Sequence, residues 1–339
     1  MKERGYSLDA IRVLACVMVV VMHSPIPNEN MKTSLLLGGL SYLTAPCIGL
    51  FFMVSGALLL PIKETTMMFL RKRLKKILYP VLFWSLFYII CNLWVGKMNF
   101  DELGRVLLNI PFSAQGNSVL WFMYTLTGLY LLAPILSAWL EKADKKIVEG
   151  YLVLWTITLC YPFLNIVLQV PEGEENTLFY FSGYAGYFVL GYYLNNYPQK
   201  IISSRKYYLI CALGLLIVFI PPILCKLNYL SVNFYSLFWY LSIGVVMMCV
   251  GWFILFQRVR LFQQKSTFNS IVVELSKISF GIYLIHIFIM RYILWNWDIL
   301  QSLPYVLQIP FCTLLTLGLS YLVIKVISKF SFSKYIIGC

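Results

Sequence analysis

Long apolar stretches alternate with short polar connections along the chain, and ten of the stretches approach the roughly 20 residues that a helix needs to cross a hydrocarbon core. They run over about 9–25, 36–60, 77–95, 118–139, 151–169, 177–195, 207–225, 233–256, 278–294 and 304–327. Because a helix satisfies its own backbone polar groups inside a bilayer, the pattern predicts an all-α, polytopic integral membrane bundle of about ten transmembrane helices. An even number of spans puts both ends on one side. No connection is long enough for a separate soluble domain, so residues 1–339 read as one transmembrane domain. The connection 96–117 carries apolar residues at helical spacing between Asn99 and Leu108 and predicts a short surface helix. The connection 257–277 reads similarly.

Composition agrees with the pattern and narrows the class. Hydrophobic residues make up 60% of the chain and charged residues 12%, with a mean hydropathy of +0.78. Ordinary globular chains carry about 25% charged residues. A soluble enzyme, a secreted disulfide module, a disordered protein and a coiled coil are all set aside. In a soluble protein, 27 Lys and Arg against 14 Asp and Glu would suggest nucleic acid as a partner. Here the excess sets topology. With the N-terminus inside, the segments 1–8, 61–76, 140–150, 196–206, 257–277 and 325–339 hold 21 of the 27 basic residues. Cytoplasmic loops accumulate Lys and Arg, so both ends are expected inside, with no nucleic-acid partner. The first apolar run lacks a small-residue cleavage site and is interrupted by Arg12, so it reads as a retained span and not as a secretory signal. The nine Cys show no metal or redox spacing and read as apolar filler, with no metal site expected.

Ionisable residues inside spans are costly, which makes the few present the candidates for chemistry. In the first span these are Asp9, Arg12 and His23. Arg12 and His23 are eleven positions apart, three helical turns plus about 20°, so they share one face with a rise of roughly 16 Å between them. Asp9 precedes Arg12 by three residues and can compensate it. On the bland reading, Arg12 snorkels to the inner interface and His23 marks the end of the span. The chain has only two His, and the second, His286, also lies in a span. A neutral imidazole is the usual base for taking a proton from a hydroxyl in acyl transfer, and an arginine can hold an anionic donor by its phosphates. For His286 a purely structural hydrogen-bonding role stands beside the catalytic one. Five cations in the six positions 71–76 open the third span, and Arg73 and Lys76 fall on one helical face. Such a cluster anchors topology against anionic lipid or grips phosphate at the inner mouth.

These residues resemble the hallmark of the membrane acyltransferase 3 family, an Arg, ten residues and a His in the first span, as in Arg12 and His23 with the lead-in Leu8–Arg12. Further stretches agree in order: Leu50–Gly56, the Arg73/Lys76/Pro80 region, Trp121–Tyr124 with Leu129–Pro134, Tyr187–Leu194 and Ser279–His286. The resemblance spans nearly the whole chain. It departs at position 76, where Lys replaces the second of two Arg three apart, losing the bidentate fork while keeping a point charge.

The resemblance implies an acyl-CoA-dependent acyltransferase, most often an O-acetyltransferase. It would move an acyl group from cytoplasmic acyl-CoA, usually acetyl-CoA, to a hydroxyl or amine of an extracytoplasmic glycan or lipid-linked sugar. The expected setting is a plasma membrane, specifically a bacterial inner membrane, and the process a modification of cell-envelope polysaccharide. On that reading Arg12, Arg73 and Lys76 hold the donor, and His23 is the base or a transient acyl carrier. Ser55, Trp121, Tyr124, Tyr283 and His286 are candidates for the groove wall, where helix packing is the alternative. The competing class is a polytopic transporter or flippase that moves a glycan or lipid without acyl transfer.

Overall fold

The computed structural model describes residues 6–27, 35–114, 118–170, 173–197 and 239–338, with Leu209 and Leu213 singly. The expected span at 207–225, and the first part of that at 233–256, lie outside the described residues. Among the described residues helix is the only regular structure. Six helical stretches there, some of them joined from consecutive elements, are long and apolar enough to cross a membrane: Gly39–Leu59, Thr66–Trp94, Trp121–Lys142, Lys145–Asn165, Thr267–Asn296 and Tyr305–Ile327.

The elements in chain order are α1 (Ser7–His23), α2 (Leu35–Thr44), α3 (Pro46–Leu59), α4 (Thr66–Trp94), α5 (Phe100–Asn109), α6 (Trp121–Lys142) and α7 (Lys145–Thr158). There follow α8 (Tyr161–Leu168), α9 (Ala185–Asn196), α10 (Ile243–Arg258), α11 (Thr267–Ile287), α12 (Asp298–Ser302), α13 (Tyr305–Ile327) and α14 (Ser333–Ile336). At 17 residues α1 is only about 25 Å long. The stretch expected at 151–169 is two helices, with a break at Leu159 and Cys160 and Pro162 in the first turn of α8. The stretch expected at 177–195 yields only the 12 residues of α9. It is preceded by a 3-10 turn at Phe179–Phe181 and by Gly183 at φ +95°, a left-handed backbone that favours glycine.

Two helices begin earlier than their apolar runs. The Thr65 hydroxyl accepts from the Met68 amide and caps α4, and the unbranched Arg and Lys side chains that follow are good helix formers. The cations at 71–76 therefore stand within the first turns of α4 and not in a loop. Likewise α11 begins at Thr267, capped by the Ser266 hydroxyl, which accepts from the Asn269 amide at 3.1 Å. The connection after Trp94 does form the expected short helix, α5, with Val106 packed against Ile89 and Met98.

The chain divides into two compact units. One comprises 1–22, 27–61 and 135–273; the other comprises 23–26, 62–134 and 274–339. In the first, α3 and α9 pack backbone to backbone. A Cβ on Gly56 would lie 1.9 Å from the Phe188 carbonyl oxygen, and one on Gly191 would lie 1.9 Å from that of Met53. Without glycine at both points the helices cannot approach so closely, which is how small residues drive helix association in membranes. Tyr187, fully buried, donates to the Tyr240 carbonyl at 2.5 Å and ties α9 to the segment leading into α10.

In the second unit, Tyr88 of α4 donates to the Leu284 carbonyl of α11 at 2.8 Å, and Tyr292 donates to Asn92 Oδ1 at 2.7 Å. Gly281 of α11 lies against Ile324 of α13. Beyond α13 the chain folds back onto α4, where the Trp84 indole N–H donates to the Ile336 carbonyl at 2.9 Å.

Candidate functional site

The last residue of α1 is His23, and the four residues 23–26 are fastened to the start of α13. Ser24 Oγ and Thr313 Oγ1 share a hydrogen bond of 2.8 Å, Gln308 Nε2 donates to the Ser24 carbonyl at 3.0 Å, and Tyr305 donates to the Ile26 carbonyl at 2.9 Å. Three bonds over three residues fix the direction in which the helix end presents its imidazole. His23 itself is half-buried.

The ring of His286 lies beside it, with centroids 5.5 Å apart and planes inclined at 36°. His286 is completely buried on α11. Its Nδ1 is 2.5 Å from the Tyr283 carbonyl oxygen. A carbonyl only accepts, so Nδ1 carries the proton and, in the neutral ring, Nε2 is the acceptor. That Nε2 is buried and has no hydrogen-bond partner. A buried acceptor left open is costly, and such atoms mark sites where a further group belongs.

Immediately after Ile287, α11 widens into a π turn over Phe288–Ile293. Inserted π turns occur often at functional sites because they re-aim the side chains that follow. Here the turn carries Arg291, whose guanidinium is within electrostatic reach of both imidazoles and stacks over Trp295 at 5.4 Å. Arg291 Nε is buried without a partner. Arg291 is one of the six basic residues outside the inner segments and is not among the candidates that the sequence pattern singles out. Its position five residues after His286 within one apolar run was the available signal.

The expected groove residues divide. Rings form a continuous series from His23 to His286, then Tyr283 at 5.6 Å, Phe122 at 5.3 Å and Trp121 at 6.5 Å. Trp121, Tyr283 and His286 thus belong to one aromatic wall. The Tyr283 hydroxyl donates to the Val119 carbonyl at 2.6 Å, which holds α11 to the turn before α6. Tyr124 points elsewhere, its hydroxyl donating to the Ile110 carbonyl at 2.7 Å. Ser55 lies in the other compact unit, and its hydroxyl donates to the Phe51 carbonyl one turn earlier, the usual way for a helix to absorb a serine.

Arg12 and His23 lie on the single helix α1, so their spacing is the three turns that the sequence predicts. Asp9 is buried and Arg12 half-buried.

Arg73 and Lys76 meet at a second place. A pocket of about 430 Å3 is lined by Lys72, Arg73, Lys75, Lys76, Tyr79, Lys334, Tyr335 and Gly338. Lys72 is bonded to Glu64, while Arg73 lies over the Phe69 ring at 5.8 Å and has a buried, unpartnered Nε. Tyr88, which bonds the α11 turn holding His286, is 15 residues beyond Arg73, or about 22 Å along α4. One helix therefore carries cations near its start and meets the histidine-bearing helix near its end.

No curated protein and no solved structure matches the chain. The family model of the acyltransferase domain matches residues 6–325, which includes Arg12, His23, Arg73, Lys76 and His286. With its long apolar helices and a match over nearly its whole length, the chain belongs to the membrane acyltransferase 3 family.

Proposed function

We propose that this membrane acyltransferase takes an acyl group, acetyl in the first instance, from acyl-CoA on the cytoplasmic side and delivers it to a hydroxyl or amine of an extracytoplasmic glycan or lipid-linked sugar. Both chain ends lie inside on this reading, in the plasma membrane of a bacterial cell. The observation that carries it is the pairing of two imidazoles, one with an orphaned acceptor, at the far end of the helix that begins in a cluster of cations.

In the transfer, His23 takes the proton of the acceptor hydroxyl as its oxygen attacks the thioester carbonyl. The carbon–sulfur bond breaks, and the proton passes to the departing thiolate, giving the ester and free coenzyme A. His286 Nε2 accepts a hydrogen bond from the imidazolium that forms on His23, much as a third group steadies a general base elsewhere. Arg291 supplies positive charge where negative charge develops on the carbonyl oxygen. Arg12 is assigned to the donor on the family resemblance alone, and Arg73 and Lys76 hold phosphates of the donor. Lys76 does so as a point charge.

The test is transfer of label from acetyl-CoA, added to the cytoplasmic face of sealed vesicles, to a product on the opposite face. Mass spectrometry of envelope polysaccharide from cells with and without the gene identifies the acceptor by the loss of an acetyl-sized mass. Movement of a glycan or lipid without consumption of acetyl-CoA would establish a transporter instead.

A further inference from the structure

The pocket at the start of α4 has a wall that the family match does not reach. Lys334, Tyr335 and Gly338 lie beyond residue 325, where the match ends. The segment that carries them is held in place by its backbone. Trp84 donates to the Ile336 carbonyl, and Ile337 is completely buried. Gly338 adopts φ +67°, and a Cβ there would stand 2.6 Å from the Lys76 carbonyl oxygen. Only glycine makes that approach, and it sets Lys334 beside the cations of α4.

Apart from Lys72, which Glu64 neutralises, the pocket collects Arg73, Lys75, Lys76 and Lys334, and no Asp or Glu is among the described residues of its lining. Four like charges around one concavity sum to a positive potential that favours an anion among them. The concavity also has an aromatic side. The rings of Tyr79 and Tyr335 meet edge to face at 5.1 Å, and Lys334 lies over Tyr335 at 4.9 Å. Cations beside an aromatic platform suit a nucleotide, with phosphates on the charges and a base on the rings. A volume of about 430 Å3 falls within the range of small-molecule sites.

We infer that the segment Ser333–Gly338 forms the second wall of the donor site, and that Lys334 binds a phosphate of the nucleotide end of acyl-CoA together with Arg73 and Lys76. This rests on the acyl-CoA reading above and adds a determinant outside the family's matched residues.

Binding of coenzyme A and of dephospho-coenzyme A, which lacks the 3′-phosphate, is measured on the full chain in nanodiscs of zwitterionic lipid. Lys334→Gln is expected to weaken coenzyme A roughly tenfold, as loss of one charged hydrogen bond does. Lys334→Arg should retain affinity, and Lys329→Gln, outside the pocket, should leave it unchanged. The preference for coenzyme A over its dephospho form should shrink in Lys334→Gln if the contact is to the 3′-phosphate. An equal loss for both ligands would place Lys334 on the diphosphate and still support the site. Unchanged binding in Lys334→Gln, with loss in Arg73→Gln, overturns the role of the segment and leaves the donor reading standing. Absence of coenzyme A binding to the unaltered protein, together with Lys334-dependent retention of phosphatidylglycerol, makes the pocket a lipid headgroup site and overturns both. Binding that responds to neither substitution removes the donor from this pocket altogether.

Discussion

At the scale of single residues, the two imidazoles are not equivalent. His23 is half-buried at a helix end, whereas His286 is sealed within the protein with one nitrogen bonded and the other open. His23→Ala is expected to lower acyl transfer by at least ~100-fold in protein that still inserts and folds, the usual effect of deleting a general base. On the proposed reading, His286→Ala should cost less, about 10-fold in kcat, because it removes support for a charge and not the base. Equal loss in both would show that the pair acts as one unit. The sequence made His23 and Arg12 legible because a charged group in an apolar run stands out against its neighbours. Arg291 escaped notice for the opposite reason. Near the end of a run, an arginine reads as an interfacial anchor, and only the π turn and the half-buried stack on Trp295 bring it to notice as part of the histidine region.

At the scale of elements, the end of α1 depends on α13. Gln308, buried on α13, donates to the Ser24 carbonyl next to His23. On the proposed reading, Gln308→Leu is expected to lower kcat about 10-fold while KM for the donor stays the same, since it loosens the end of α1 that presents His23 and leaves the cation pocket on α4 untouched. A change confined to KM would contradict this. The α3–α9 pair makes a separate prediction. Gly191→Ala forces a Cβ against the Met53 backbone and should lower thermal stability markedly, on the order of overpacking costs of 1–3 kcal/mol or more. Gly128→Ala in α6, with nothing within 4 Å of the added carbon, should leave melting unchanged or raise it. Melting curves in detergent compare the two directly. Neither close approach was legible in the sequence, because a glycine's neighbours come from distant residues. Helix starts were misplaced for a local reason. Apolar periodicity marks where a helix meets lipid, while Thr65 and Ser266 mark where its hydrogen bonds begin.

At the scale of the whole molecule, the all-helical, membrane-spanning character followed from hydropathy alone, since length and apolarity are summed over many residues and tolerate local errors. Separate helices were harder to count. Turns such as Leu159–Cys160 and the 3-10 turn before α9 lie inside apolar runs and leave no polar break. The charge asymmetry predicts both ends inside, so alkaline phosphatase fused after Asn109 should be active and a fluorescent protein fused after Lys142 should fluoresce. The opposite pattern would invert the topology.

The 29 residues of α4 run as one helix from the cation pocket to the turn of α11 that carries His286. Such a rod acts as a ruler between two chemical events, and its graduations are known. One residue inserted between Tyr79 and Tyr88 advances the far end by about 1.5 Å but turns it by about 100°, carrying Tyr88 away from Leu284. Four inserted residues nearly restore the face while adding about 6 Å of reach. On the proposed acyl-CoA reading, an enzyme with four added residues would hold the donor's phosphates about 6 Å farther from the histidine pair, and its rate of transfer should fall although the helix faces match.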